Sequence, residues 1–119
     1  MMHDFAVISL SDLLTPWDLI QRRLDMAARG DFVICLYNPK SIKRHSHIAV
    51  AQEIILRSKV PATPVGIVRN AGRPDESWAI TTLERMAEAE IDMFTTLIIG
   101  NAQTRVVGGR MVTPRGYPF

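Results

Sequence analysis

Apolar residues in this chain fall into short unbroken runs, separated by stretches where they recur every three or four positions. Phe5-Ala6-Val7-Ile8-Ser9-Leu10 and Phe32-Val33-Ile34-Cys35-Leu36 are runs of β-branched and bulky side chains, the mark of strands buried on both faces. Val65-Gly66-Ile67-Val68 and Thr95-Thr96-Leu97-Ile98-Ile99 read the same way, and Trp78-Ala79-Ile80-Thr81 reads as a shorter strand. Between the first two runs, Trp17, Ile20, Leu24, Ala27 and Ala28 share one helical face, while Arg22, Arg23, Asp25 and Arg29 lie off it. Thr15 is placed to cap that helix, Pro16 suits its first position, and Gly30 is placed to end it. A second helix is predicted over 48–56, with Ile48, Ala51 and Ile55 facing inward. A third is predicted over 82–89, opened by a capping box of Thr81 and Glu84. Residues 105–113 read as a hairpin about Gly108-Gly109. The alternation of strand and helix predicts an α/β fold: a three-layer, mixed and mostly parallel sheet with helices on both faces, finished by a C-terminal antiparallel hairpin.

Length and composition narrow this picture. A chain of 119 residues supports one domain, residues 1–119, with one modest core. Its apolar share is 47%, and no apolar run approaches a membrane span. The start Met1-Met2-His3-Asp4 lacks the basic and apolar regions of a signal peptide. A strand beginning at residue five, with no preamble, looks cut from something longer. The single cysteine, Cys35, excludes an intrachain disulfide and fits a reducing cytoplasm; in mid-strand it reads as a small buried hydrophobe rather than a nucleophile. Fourteen Lys and Arg against twelve Asp and Glu, a net charge of +2, is too slight an excess to argue for nucleic acid.

Candidate chemistry gathers where strands end. Three strands run into polar turns, Tyr37-Asn38-Pro39, Arg69-Asn70-Ala71-Gly72 and Gly100-Asn101. If these strands are parallel neighbours, the turns lie side by side on the edge where open α/β sheets bind ligands. Ala71 and Gly72 let backbone approach a ligand closely, and Asn38 and Asn70 offer donors and acceptors. Such a row suits an adenosine-like or amino-acid-like ligand, although each Asn and Gly is also an ordinary turn former. The basic stretch of Lys40, Lys43, Arg44, His45 and His47 reads either as a phosphate contact or as a solvated approach to a helix. It has no interleaved aromatics for stacking RNA bases. His45 and His47, two apart, face different ways on a helix, and no metal site is expected. Arg69 and Arg73 either clamp carboxylates or are surface charges. No Ser-His-Asp or Cys-His arrangement, GxGxxG or Walker loop is present. Spacing alone ends at an α/β domain with a ligand edge.

Six segments carry a resemblance to a known family. They are residues 3–17, Leu36-Tyr37-Asn38-Pro39-Lys40-Ser41, residues 64–73, Asp92-Met93-Phe94-Thr95-Thr96, Ile99-Gly100-Asn101 and Thr113-Pro114-Arg115-Gly116-Tyr117. Together they closely resemble, in order and from end to end, the C-terminal half of the tetrapyrrole methylases of cobalamin synthesis. The match is most specific to the branch that methylates C17 of precorrin-3B with ring contraction. The resemblance implies a two-domain, homodimeric enzyme with S-adenosylmethionine folded in the cleft between its domains, no metal cofactor, and an N-terminal domain that is missing here. It implies donor contacts at Leu36, Tyr37 and Asn38, at Asn70, Ala71 and Gly72, and at Thr81, Thr82 and Leu83. Lys40, Arg44, Arg69 and Arg73 would then meet the acetate and propionate arms of the substrate, an inference from charge rather than from the family. Without its partner domain, the chain is expected to bind the donor poorly and not to turn over. A non-catalytic binding or dimerisation domain, or another tetrapyrrole or RNA methylase of the same architecture, is the alternative.

Overall fold

A computed structural model describes residues 5–11, 14–37, 47–89, 91 and 94–113. Strand β1 (Phe5–Ser9) alternates as a half-covered strand must, with Ile8 buried and Phe5 and Val7 exposed. Helix α1 (Trp17–Arg29) buries the predicted stripe of Ile20, Leu24, Ala27 and Ala28. Its start lies slightly later than the sequence predicts. Pro16 has extended backbone and its carbonyl takes the N–H groups of Leu19 and Ile20, so Pro16 rather than Thr15 flanks the helix. At the other end Gly30 is not left-handed; Asp31 takes that conformation, with φ of 55°. A Cβ at Gly30 would stand 2.9 Å from the Phe32 ring, which would have to shift to make room for it.

The chain continues through β2 (Val33–Tyr37), α2 (His47–Leu56), β3 (Pro64–Arg69) and β4 (Ser77–Thr82). The predicted third helix is a 3-10 segment, Leu83–Glu88, and no side-chain capping box forms at its start. Its first N–H groups are satisfied instead by the preceding loop: Leu83 donates to the Thr63 carbonyl at 2.8 Å and Glu84 to that of Pro61 at 3.1 Å. Strand β5 (Thr95–Ile99) and the hairpin β6 (Arg105–Val107) and β7 (Arg110–Val112) follow. Gly108 and Gly109 both have positive φ, as a two-residue hairpin turn requires.

The five-stranded sheet has the order β1-β2-β5-β3-β4. β1 and β2 pair in parallel, but β5 is antiparallel to both its neighbours, as β4 is to β3. The expectation of a mostly parallel sheet is therefore corrected: the sheet is mixed, with one parallel pairing. After β4 the chain climbs back to the opposite edge, where the Phe94 carbonyl meets the Asn70 N–H at 3.1 Å, and β5 must then run downward.

Helices on both faces are also not found among the described residues. α1, α2 and the 3-10 segment share one core with the inward positions of the sheet: Ile8, Ile34, Leu36, Val65, Ile67, Leu97 and Ile99. On the other face Phe5, Val7, Val33, Cys35 and Ile98 line an open apolar groove of about 610 Å³, roofed at one end by Met111 and Val112 of the hairpin. A Cβ on Gly66 would lie 3.2 Å from the Met111 sulfur, which marks how closely the hairpin approaches the sheet.

Candidate functional site

β1, β2 and β3 run in one direction, so their carboxyl ends share an edge. Tyr37 closes β2 there with 41% of its surface exposed. The Asn70-Ala71-Gly72 turn closes β3 on the same edge. The amino end of β5 lies between them, which sets the two strand ends two interstrand spacings apart, roughly 10 Å.

The turn after β3 is organised by its own side chains. Asn70 sits in the left-handed region, with φ of 53°, which asparagine tolerates better than most residues. Its Nδ2 donates to Asp75 Oδ2 at 3.1 Å, and the Gly72 N–H donates to Glu76 Oε1 at 3.2 Å. The Arg73 N–H closes the turn on the Asn70 carbonyl at 3.0 Å. Around Gly72 the space a Cβ would occupy is empty to 4 Å. The Arg73 guanidinium lies 4.6 Å from the centre of the Phe94 ring, held by cation–π attraction at the same edge. Arg69 ends β3 beside it, half-buried.

Other expected site residues fall elsewhere. Leu36 is fully buried on the helix-covered face, so only its backbone reaches the edge. Thr81 and Thr82 pair with Val65 and Pro64, at the amino end of β3. They are about 17 Å along that strand from the Asn70 turn. Leu83 is buried in the core, its carbonyl taken by Gln52 Nε2 at 2.8 Å. Gly100-Asn101 also belongs to this opposite edge, because β5 runs the other way; the Gly100 N–H donates to the Pro64 carbonyl. Asn101 Oδ1 accepts the Gln103 N–H at 2.9 Å, an ordinary turn role. The rim shared by three strand ends is thus corrected to two, with Thr81, Thr82 and Leu83 outside it. Asn38, Lys40 and Arg44 lie outside the described residues.

Two buried polar groups carried no clear signal in the sequence. His47 opens α2, stacked on Trp17 with ring centroids 3.8 Å apart and planes 11° from parallel. Its Nδ1 is 3.2 Å from the Leu10 carbonyl. Lys59, whose side chain is 2% exposed, donates to Asp31 Oδ1 at 3.1 Å. Burial lowers the Lys59 pKa, opposed by the hydrogen bond and charge of Asp31. Burial also pushes the Cys35 thiol up, so it is a poor nucleophile where it lies in the groove. Among the described residues no group of three or more His, Cys, Asp or Glu is arranged to hold a metal ion, and no helix is long and apolar enough to cross a membrane.

No family model matches the chain. Individual proteins do. A probable cobalt-factor III C(17)-methyltransferase of Salmonella typhimurium strain LT2 is 50% identical over 117 residues, 98% of this chain and 48% of that protein. A protein of the same description from Methanocaldococcus jannaschii is 49% identical over 123 residues, 97% of this chain and 49% of its own length. The methyltransferase CobJ superposes with a TM-score of 0.84 at 36% identity, covering 94% of this chain and 47% of that structure. Over this span, the chain is similar in sequence and fold to these methyltransferases. It spans about half the length of both curated relatives. The uroporphyrin-III C-methyltransferase of Thermus thermophilus, solved with S-adenosylhomocysteine, shares the fold, with a TM-score of 0.61 at 24% identity over 83% of this chain and 42% of that structure.

Proposed function

We propose that this chain is the C-terminal half of an S-adenosylmethionine-dependent enzyme that methylates C17 of a precorrin-3B-type macrocycle, with ring contraction, in cobalamin synthesis. The observation that carries the reading is 50% identity, across 98% of the chain, to a relative described as a C17-methyltransferase of cobalt-factor III. That description names a cobalt-containing factor as what the relative methylates. The edge formed by Tyr37 and the Asn70-Ala71-Gly72 turn suits one wall of a donor cleft, the other wall coming from the missing half.

When bound, the donor supplies a methyl group on a sulfonium, and the protein's task is to hold donor and acceptor in line. Here the exposed Tyr37 ring offers a flat apolar contact. The preformed turn leaves open space on the Cβ side of Gly72, while the Gly72 N–H is held by Glu76. Arg69 and Arg73 face the negative arms of the macrocycle; the Phe94 ring holds the Arg73 guanidinium in place, which favours a fixed carboxylate contact. The proposed setting is the cytoplasm, and the proposed assembly a homodimer.

Calorimetry with S-adenosylhomocysteine tests the reading. The chain alone should bind weakly, and the chain mixed with the other half of the Salmonella relative should bind at least about tenfold more tightly and transfer methyl groups. Tight binding by the chain alone would contradict the two-walled cleft. The second reading, a non-catalytic dimerisation domain, is favoured by the open apolar groove on the uncovered face. It predicts self-association with no donor binding in either arm.

A further inference from the structure

His47 lies outside the residues assigned to the donor cleft, yet it is joined to that wall by two hydrogen bonds in series. The Leu10 carbonyl can only accept, so the His47 nitrogen 3.2 Å away, Nδ1, must carry the proton. The Leu10 N–H in turn donates to the Tyr37 carbonyl at 3.0 Å. This is the last rung of the parallel ladder, one residue beyond the Ser9–Tyr37 pair. Leu10 is fully buried, so its peptide groups depend on protein partners rather than solvent. The imidazole has little freedom to turn away, since Trp17 is stacked face to face against it from α1. Three elements are thereby linked around one residue: α1 through Trp17, α2 through His47, and the end of β1 through Leu10.

We propose that His47 is a positioning residue for the donor site. It fixes the Leu10 backbone, and through it the carboxyl end of β2, so that Tyr37 is held in place before the ligand arrives. The inference rests on the donor-cleft reading of Tyr37. Holding a wall ahead of binding removes an ordering cost that a loose strand end would otherwise meet on association. His47 touches neither donor nor substrate in this role. The Leu10 carbonyl keeps a hydrogen on Nδ1 in this role.

Two variants separate positioning from packing. His47→Asn keeps an N–H donor near the place of Nδ1, whereas His47→Leu keeps bulk and loses the donor. In the chain itself, the Leu10 amide should exchange hydrogen about tenfold faster in His47→Leu than in the parent. Asn should restore it to within about threefold, and the Gly100 amide at the far edge should be unchanged in both. With the other half of the relative supplied, S-adenosylhomocysteine affinity should follow the same order. Donor binding that is equally strong in His47→Leu and the parent overturns the positioning role while leaving the cleft reading intact. An unchanged Leu10 exchange rate in His47→Leu overturns the lock itself. If the parent pair binds no donor at all, the cleft reading fails and takes the positioning role with it, even where Leu10 exchange still reports the lock.

Discussion

Lys59 and Asp31 form an ion pair with unequal partners. The ammonium is sealed in, while Asp31 is half-exposed and also accepts the Ala102 N–H at 3.1 and 3.2 Å. Asp31→Asn keeps a residue that tolerates positive φ but leaves the ammonium without its counter-charge. It should lower stability in urea by about 2 kcal/mol. Lys59→Met removes the buried charge with its length preserved, and should change stability by less than about 1 kcal/mol at neutral pH. The pH dependence has a definite sign. Burial holds the folded Lys59 pKa below its ordinary 10.5, so between those two values the unfolded chain binds the extra proton. The stability of the parent relative to Lys59→Met should therefore rise as pH climbs toward 10.5, measured by urea unfolding at several pH values. A fall over that window would show the pair has been misjudged. Neither Lys59 nor His47 stands out in the sequence, because a lysine in a turn and a histidine at the end of a basic stretch look solvated until the tertiary fold closes over them.

At the scale of elements, the loop between β5 and the hairpin shows how a small residue sets a junction. A Cβ on Gly100 would come within 2.6 Å of Thr104, which cannot swing aside easily: it is β-branched, and its hydroxyl binds the Asn101 N–H at 2.9 Å and the Thr113 hydroxyl at 2.7 Å. Gly100→Ala should therefore destabilise the chain by about 1–3 kcal/mol and loosen the hairpin, read as faster hydrogen exchange at residues 105–112. The double variant Gly100→Ala with Thr104→Ala should recover part of the loss. Strand existence was legible from apolar runs, and so was the stripe of α1. Strand direction was not: the run from Thr95 to Ile99 has the same pattern of burial whichever way it runs, and only the climb after β4 settles the matter. That one reversal moved Gly100-Asn101 to the far edge. Thr81, Thr82 and Leu83 lie away from the Asn70 turn for a related reason, since β4 returns from the β3 turn and carries its last residues away from it. The Tyr37 and Asn70 ends were legible because both close strands that point the same way.

Among the described residues, helices cover one face of the sheet and leave much of the other open. Phe5 and Val7 are 59% and 57% exposed beside the groove, and Trp78 lies on β4 on that same side, opposite Val68. Large apolar side chains exposed along one sheet face are candidates for burial against another surface. The isolated chain should self-associate with rising concentration, and Val7→Lys should weaken that association at least about fivefold in sedimentation while leaving thermal stability nearly unchanged. If Val7→Lys leaves association untouched, another surface is responsible. The place of β5 has a last consequence, for synthesis. β1 with β2, and β3 with β4, are each contiguous stretches of chain, but in the sheet they touch only through β5, the last of the five to emerge from the ribosome. Ile34 waits for Ile99, and Val65 waits for the same residue. Until it arrives the nascent chain holds two open-edged ribbons with no shared backbone ladder, and the final strand is the keystone that turns them into one sheet.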